Sequence, residues 1–103
     1  KIKMSDTATS VNGINVRLTD ERWAHIVEEH GELNGLRAEV LQTVKQPERI
    51  LAGNEDEFLA VREIEQGKYI IVVYRELEKD GFVITAFLSR RIRSLAKRRQ
   101  LWP

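Results

Sequence analysis

The sequence has no cysteine, which rules out disulfides, thiolate catalysis and cysteine-ligated zinc. Proline (two) and glycine (six) are scarce and no stretch is of low complexity, so little of the chain has the composition of a disordered segment. No apolar run approaches the roughly 20 residues needed to span a bilayer, and no membrane is expected as a partner. The opening Lys1-Ile2-Lys3-Met4 lacks the apolar core of a signal peptide, and Met4 is the expected natural start. Glycines are absent where a phosphate loop needs them: Gly31 and Gly35 stand apart, and neither precedes Lys-Ser/Thr. A metal motif is missing too. His25 and His30 are five residues apart, about 140° around a helix, and do not converge on one ion. Neither a cofactor nor a metal is expected.

Acid is missing from one region. From Ser89 to Pro103 there are six basic residues (Arg90, Arg91, Arg93, Lys97, Arg98, Arg99) and no carboxylate side chain. The tail carries +6 and the remainder −5, which the net charge of +1 conceals. Segregated charge of this kind points to a polyanionic partner, RNA above all. Five arginines to one lysine suit bidentate phosphate contact. A solvated basic helix, or a tail docked on the acidic body, accounts for the same count.

What is present suits one small domain of 103 residues, with 42% hydrophobic and 32% charged side chains. Residues 5–13, SDTATSVNG, read as a flexible lead-in, so the domain is expected over 14–103. Ile14, Val16 and Leu18 alternate as in a short edge strand. Thr19 offers an N-cap and Asp20-Glu21 suit the helix dipole, which predicts a first helix from Asp20 to Glu29 or His30, with Trp23, Ile26 and Val27 inward and Gly31 as the stop. A second helix is expected from Leu36 to Lys45, with Leu36, Val40, Leu41 and Val44 inward, ended by Pro47. Ile50-Leu51 begins a strand. Then Phe58–Glu65, Lys68–Leu77 and Phe82–Leu88 follow as strands, with turns at Gln66-Gly67 and Lys79-Asp80-Gly81. Arg90–Gln100 reads as a final helix anchored by Leu101-Trp102. The expected fold is α+β: an N-terminal strand and two helices packed on an antiparallel meander of three to four strands, with a basic C-terminal helix or tail.

Chemistry is sought among the polar residues of this frame. His30 follows the stripe of Trp23 and Ile26 toward the sheet, while His25 lies on the polar side with Glu28 and Glu29. The plain readings are a histidine capping a helix end and a solvated surface residue. Arg62 shares a strand face with Phe58, Ala60 and Ile64. Tyr74 shares one with Ile70 and Val72, and Thr85 with Val83 and Phe87. Each alone reads as a rim or hydrogen-bonding residue. Together with a histidine they offer a base, a cation, a phenol and a hydroxyl, the set that metal-free RNA cleavage requires.

The segments Arg22-Trp23-Ala24-His25-Ile26-Val27-Glu28-Glu29-His30, Pro47-Glu48-Arg49-Ile50-Leu51 and Val83-Ile84-Thr85-Ala86-Phe87-Leu88 resemble small phage and bacterial domains of the barnase–EndoU–colicin–RelE (BECR) RNase superfamily, in its phage-associated branch. The likeness covers roughly residues 14–103 and rests on pattern and element order. It implies helices on a curved antiparallel sheet, with RNA cut on or beside the sheet. By position His30 and His25 match the helix-one histidines, Arg62 the strand cation and Thr85 the hydroxyl of the last strand; Tyr74 is added from strand geometry alone. It further implies a toxin-like endoribonuclease acting on RNA such as tRNA or mRNA. An antitoxin or immunity protein would be its partner, and its location the bacterial cytoplasm or that of a target cell. Charge and fold alone are met equally by a non-catalytic module binding nucleic acid or a partner protein, or by a structural protein of a phage or mobile element.

Overall fold

Apolar runs in the central strands, buried on both faces, make the sheet the organising element. The computed structural model describes residues 5–103 and, at Ser5, the backbone alone; Met4 lies outside the described residues. The order is β1 (Ser5–Thr9), β2 (Asn15–Thr19), α1 (Asp20–Glu29), a 3-10 turn (Gly31–Leu33), α2 (Arg37–Lys45), β3 (Arg49–Ala52), β4 (Phe58–Glu65), β5 (Lys68–Glu76), β6 (Asp80–Ser89), α3 (Ile92–Ala96) and β7 (Gln100–Trp102). Among the described residues these strands form one sheet in the order β1-β2-β6-β5-β4-β3-β7. Every pairing is antiparallel except β2 with β6. No helix among the described residues is long and apolar enough to cross a membrane.

The α+β class stands, and the meander runs through β3, β4, β5 and β6. It is the middle of a larger, mixed sheet, and four expectations change accordingly. Ser5–Thr9 is a strand rather than a lead-in, paired along its length with β2. Its polar sequence hides the alternation, because one inward residue is Ala8 and another, Asp6, is an ion-pair partner. β2 is therefore interior, and Val16 and Leu18 are fully buried. The tail helix spans only Ile92–Ala96, after which the chain straightens into β7 against β3. The fourth change concerns β6. Val73 of β5 faces Thr85 while Tyr74 faces Val83, so Ile84 is unmatched and forms a bulge. Beyond the bulge the faces exchange: Val83 joins the core under the helices, whereas Phe87 packs on the other side.

Each face of the sheet has its own cover. Ala60, Ile70, Val72, Tyr74 and Ala86 meet Ile26 of α1, Leu33 of the turn, and Val40 and Val44 of α2. On the opposite face Leu51, Leu59, Val61 and Ile71 meet Ile92 and Leu95 of α3. The two hairpins use glycine differently. Gly67 turns the chain with φ +76°, a conformation that side chains rarely adopt. Gly81 instead lies within β6, where a Cβ would sit 2.5 Å from the backbone oxygen of Arg75.

Helix α1 begins as its sequence dictates, with Thr19 Oγ1 accepting from the Arg22 N–H at 3.1 Å. Helix α2 begins against the rule, with Arg37 at the positive end of the dipole. Its guanidinium is used by the fold: it lies 3.0 Å from the Asp6 carboxylate of β1 and 2.8 Å from that of Asp20 in α1, and donates to the Leu18 carbonyl of β2 at 3.2 Å. Replacing Arg37 with methionine keeps the stem and removes every one of these contacts. A loss of about 1–3 kcal/mol is expected in urea unfolding, since the site is partly solvated; an unchanged midpoint would show the clamp to be dispensable.

Candidate active site at the free edge of β6

Because β2 pairs with β6 only over Asp80–Phe82, the rest of β6 has an open edge on that side. The end of α1 and the turn after it fill the gap. The backbone there turns at His30, whose N–H donates to the Ile26 carbonyl at 2.7 Å and whose carbonyl accepts from Leu33 at 2.9 Å. Buried Ile26 and Leu33 thus fix the residue between them.

The His30 ring lies against Phe87 of β6, centroids 6.1 Å apart and planes tilted by 37°. Its side chain is 33% exposed, so one side is held and another meets solvent. The Glu32 carboxylate sits 3.7 Å from Nδ1, too far for a hydrogen bond but close enough to favour one ring orientation. Glu32 also borders an open cleft of about 300 Å³ with Lys68, Leu88, Ser89 and Arg90. Glu32 thus links the His30 ring to a cleft holding two cations and a hydroxyl, of which Lys68 is paired with Glu65 at 3.4 Å and Ser89 Oγ accepts from the Arg91 N–H at 3.0 Å. A larger groove of about 350 Å³ lies between β1 and α2, but among the described residues Lys45 is the one ionisable side chain lining it.

The remaining expected residues do not converge on His30. His25 is exposed on the outer side of α1, bordering a shallow depression with Glu21 and Glu28. Arg62 lies on the helix-facing side of β4, and its Nε donates to Thr43 Oγ1 of α2 at 3.3 Å. Thr43 in turn donates to the Glu39 carbonyl at 2.7 Å. Arg62 thus braces a helix. Tyr74 is fully buried on the same face, its ring 5.5 Å from that of Phe58. Burial, and then the charge of Glu76, hold the phenol above its ordinary pKa of 10.0. It stands four residues from Ile70, the neighbour of Arg62, so the two are about 13 Å apart along the sheet. Thr85 is on the other face, facing Val73, with its hydroxyl buried. The expected grouping of Arg62, Tyr74 and Thr85 is thus overturned by the bulge and the core.

No family model, curated protein or solved structure matches the chain. The residues themselves carry the reading. Glu32, Lys68 and Ser89 were not distinguishable in the sequence, where each sits at an element end among other polar residues; the spacing of Glu32 two positions after His30 was the available signal.

The basic tail divides into two roles. Ile92 and Leu95 seat α3 on the sheet, and Arg98 donates to the Ala52 carbonyl at 3.1 Å and to Asn54 Oδ1 at 2.9 Å. Arg98 is therefore an anchor. Arg90, Arg91, Arg93, Lys97 and Arg99 are exposed and remain available to a polyanion. Beside the anchor the Glu57 carboxylate accepts hydrogen bonds from its own backbone N–H and that of Glu55, which hold it below its ordinary pKa of 4.5 despite some desolvation. A depressed carboxylate stabilises the fold above the unfolded value and loses that contribution as pH falls through the folded one. A Glu57→Gln variant is thus expected to show a flatter fall in stability below about pH 4.5 than the wild type in acid titrations followed by circular dichroism. At Tyr74, whose hydroxyl has no partner among the described residues, phenylalanine removes an unsatisfied group. Tyr74→Phe is expected to change stability by less than about 1 kcal/mol, or to raise it, and to leave any RNA cleavage unaltered; a loss of cleavage would restore the phenol to the site.

Proposed function

We propose that the protein is a metal-independent endoribonuclease of the toxin type, in the phage-associated branch of the BECR superfamily, with His30 as its proton-transfer group. The observation that carries this is His30 itself: ordered by Phe87 and Glu32, one-third exposed, and beside a cleft bearing Lys68 and Arg90. In the reaction His30 takes the proton from a ribose 2′-hydroxyl. The freed oxygen attacks the adjoining phosphorus, a 2′,3′-cyclic phosphate forms, and the bond to the 5′-oxygen breaks. The proton held by His30 passes to that leaving oxygen. Lys68 and Arg90 steady the charge that gathers on the phosphorane oxygens. The exposed tail cations hold the flanking backbone. An antitoxin that covers the cationic cleft is the expected protein partner.

A second reading is a non-catalytic module binding nucleic acid or a partner protein. It is favoured by the engagement of Arg62 with Thr43 and the burial of Tyr74, which leave the cleft without the strand residues expected of the enzyme.

Pure protein incubated with tRNA and total RNA in EDTA separates the two. Cleavage is expected, lowered by about a hundredfold or more in His30→Ala and left near wild type in His25→Ala. Salt-sensitive RNA binding without turnover supports the binding module, and cleavage that survives His30→Ala removes the histidine from the mechanism.

A further inference from the structure

The path of α3 leaves one corner of its sheet face open. The helix follows Ser89, which faces Tyr69 at one end of the sheet. It leads to Arg98, tied to Ala52 and Asn54 at the other end, where Ala52 faces Phe58. The segment therefore crosses diagonally from β6 to β3. The corner farthest from that path holds Arg75 of β5 with Phe82 and Thr85 of β6, all of them partly exposed, while Val73 beside them packs on the cluster that α3 joins.

Two buried polar atoms in this corner lack a hydrogen-bond partner among the described residues: Arg75 Nε and Thr85 Oγ1. Alternation from Ile71 and Val73 puts Arg75 on the α3 side of β5, and Thr85 faces Val73, so the two belong to adjoining rows of one face. Both are donors, and an unsatisfied buried donor is costly unless an acceptor arrives. Glu57 is near enough to sense the charge of Arg75, yet no ion pair within 4.0 Å ties Arg75 to a carboxylate among the described residues. An anion with several acceptor oxygens meets the need of both groups, and an arginine fork beside a hydroxyl suits a phosphate. The corner lies farther along β6 from His30, toward the Asp80 end of the strand. Phe87, against which His30 lies, is two residues from Thr85 on the same face, about 7 Å along β6.

We propose that Arg75 and Thr85 form a second phosphate-binding site, for a phosphodiester near the one cut at His30, so that an RNA strand runs along β6 from Arg90 to Arg75. The site deepens the ribonuclease reading and rests on it for the identity of the ligand. Both polar atoms are buried as the protein stands, so the site requires the Arg75 side chain to move to admit the phosphate.

The test pairs a small probe with a strand. Inorganic phosphate titrated into the wild-type protein should shift the NMR signals of the Arg75 Nε–H and the Thr85 amide. A fully 2′-O-methylated octanucleotide, which cannot be cut, should bind Arg75→Gln about tenfold more weakly than wild type in fluorescence anisotropy, with a salt slope smaller by about 0.7. Arg75→Lys should recover the slope but only part of the affinity, while Arg62→Gln should bind as the wild type does. Unmoved Arg75 and Thr85 signals overturn the site even if the variants prove unstable, and so does an Arg75→Gln protein that binds like wild type. Should phosphate move those signals in a protein that cuts no RNA, the ribonuclease reading fails and the anion site stands.

Discussion

Arg37 joins four elements, β1, β2, α1 and α2, at the rim of the one core cluster they share through Ala8, Leu18, Ile26 and Val40. It sits where a helix dipole repels a cation, and only the carboxylates of Asp6 and Asp20 and the carbonyl of Leu18 make that position tolerable. In satisfying it, β1 is held to the start of α2, and the end of β2 to the start of α1. The consequences run through the molecule. With β1 seated, β2 becomes an interior strand, parallel to β6 over only three residues. The rest of β6 is then left open to the end of α1, and His30 comes to rest against Phe87.

The fold makes heavy use of polar side chains for its own construction, and this decides which remain for chemistry. Arg62 completes the hydrogen bonding of Thr43 under α2. Tyr74 fills space between Phe58 and the helices. Glu76 reaches back to the β1–β2 turn, accepting from the Ser10 hydroxyl and from Asn12 Nδ2. Arg98 pins the tail. Left over are His30 and Arg90 near the open edge of β6, the other exposed tail cations, and Arg75 and Thr85 on the far corner of the sheet, while Lys68 is paired with Glu65.

Much of this frame was legible in the sequence. Both main helices, the three long strands, the two hairpins and the inward positions Ile26, Val40 and Val44 follow from period and from turn residues, because those segments bury apolar stripes. β1 was not legible, since its inward Asp6 pairs with an arginine thirty-one residues away. The bulge at Ile84 was equally hidden. A strict two-residue alternation placed Thr85 with Val83, and no local signal marks the extra residue that separates them. Of the site, His30 was legible from its place after the α1 stripe. Its neighbours Glu32, Lys68 and Ser89 come from three elements and meet only when the sheet is assembled. An arginine in the first turn of a helix was the one readable sign of the Arg37 clamp.

The basic segment after β6 is secured at both ends: Ser89 belongs to the sheet, Arg98 and β7 grip β3, and Ile92 and Leu95 hold the middle. It behaves as a strap rather than a loose end. Its backbone is held at both ends before any partner approaches, so ordering it on association would cost little. A loose tail of the same charge would have to surrender that backbone freedom on binding; the strap has surrendered it in folding.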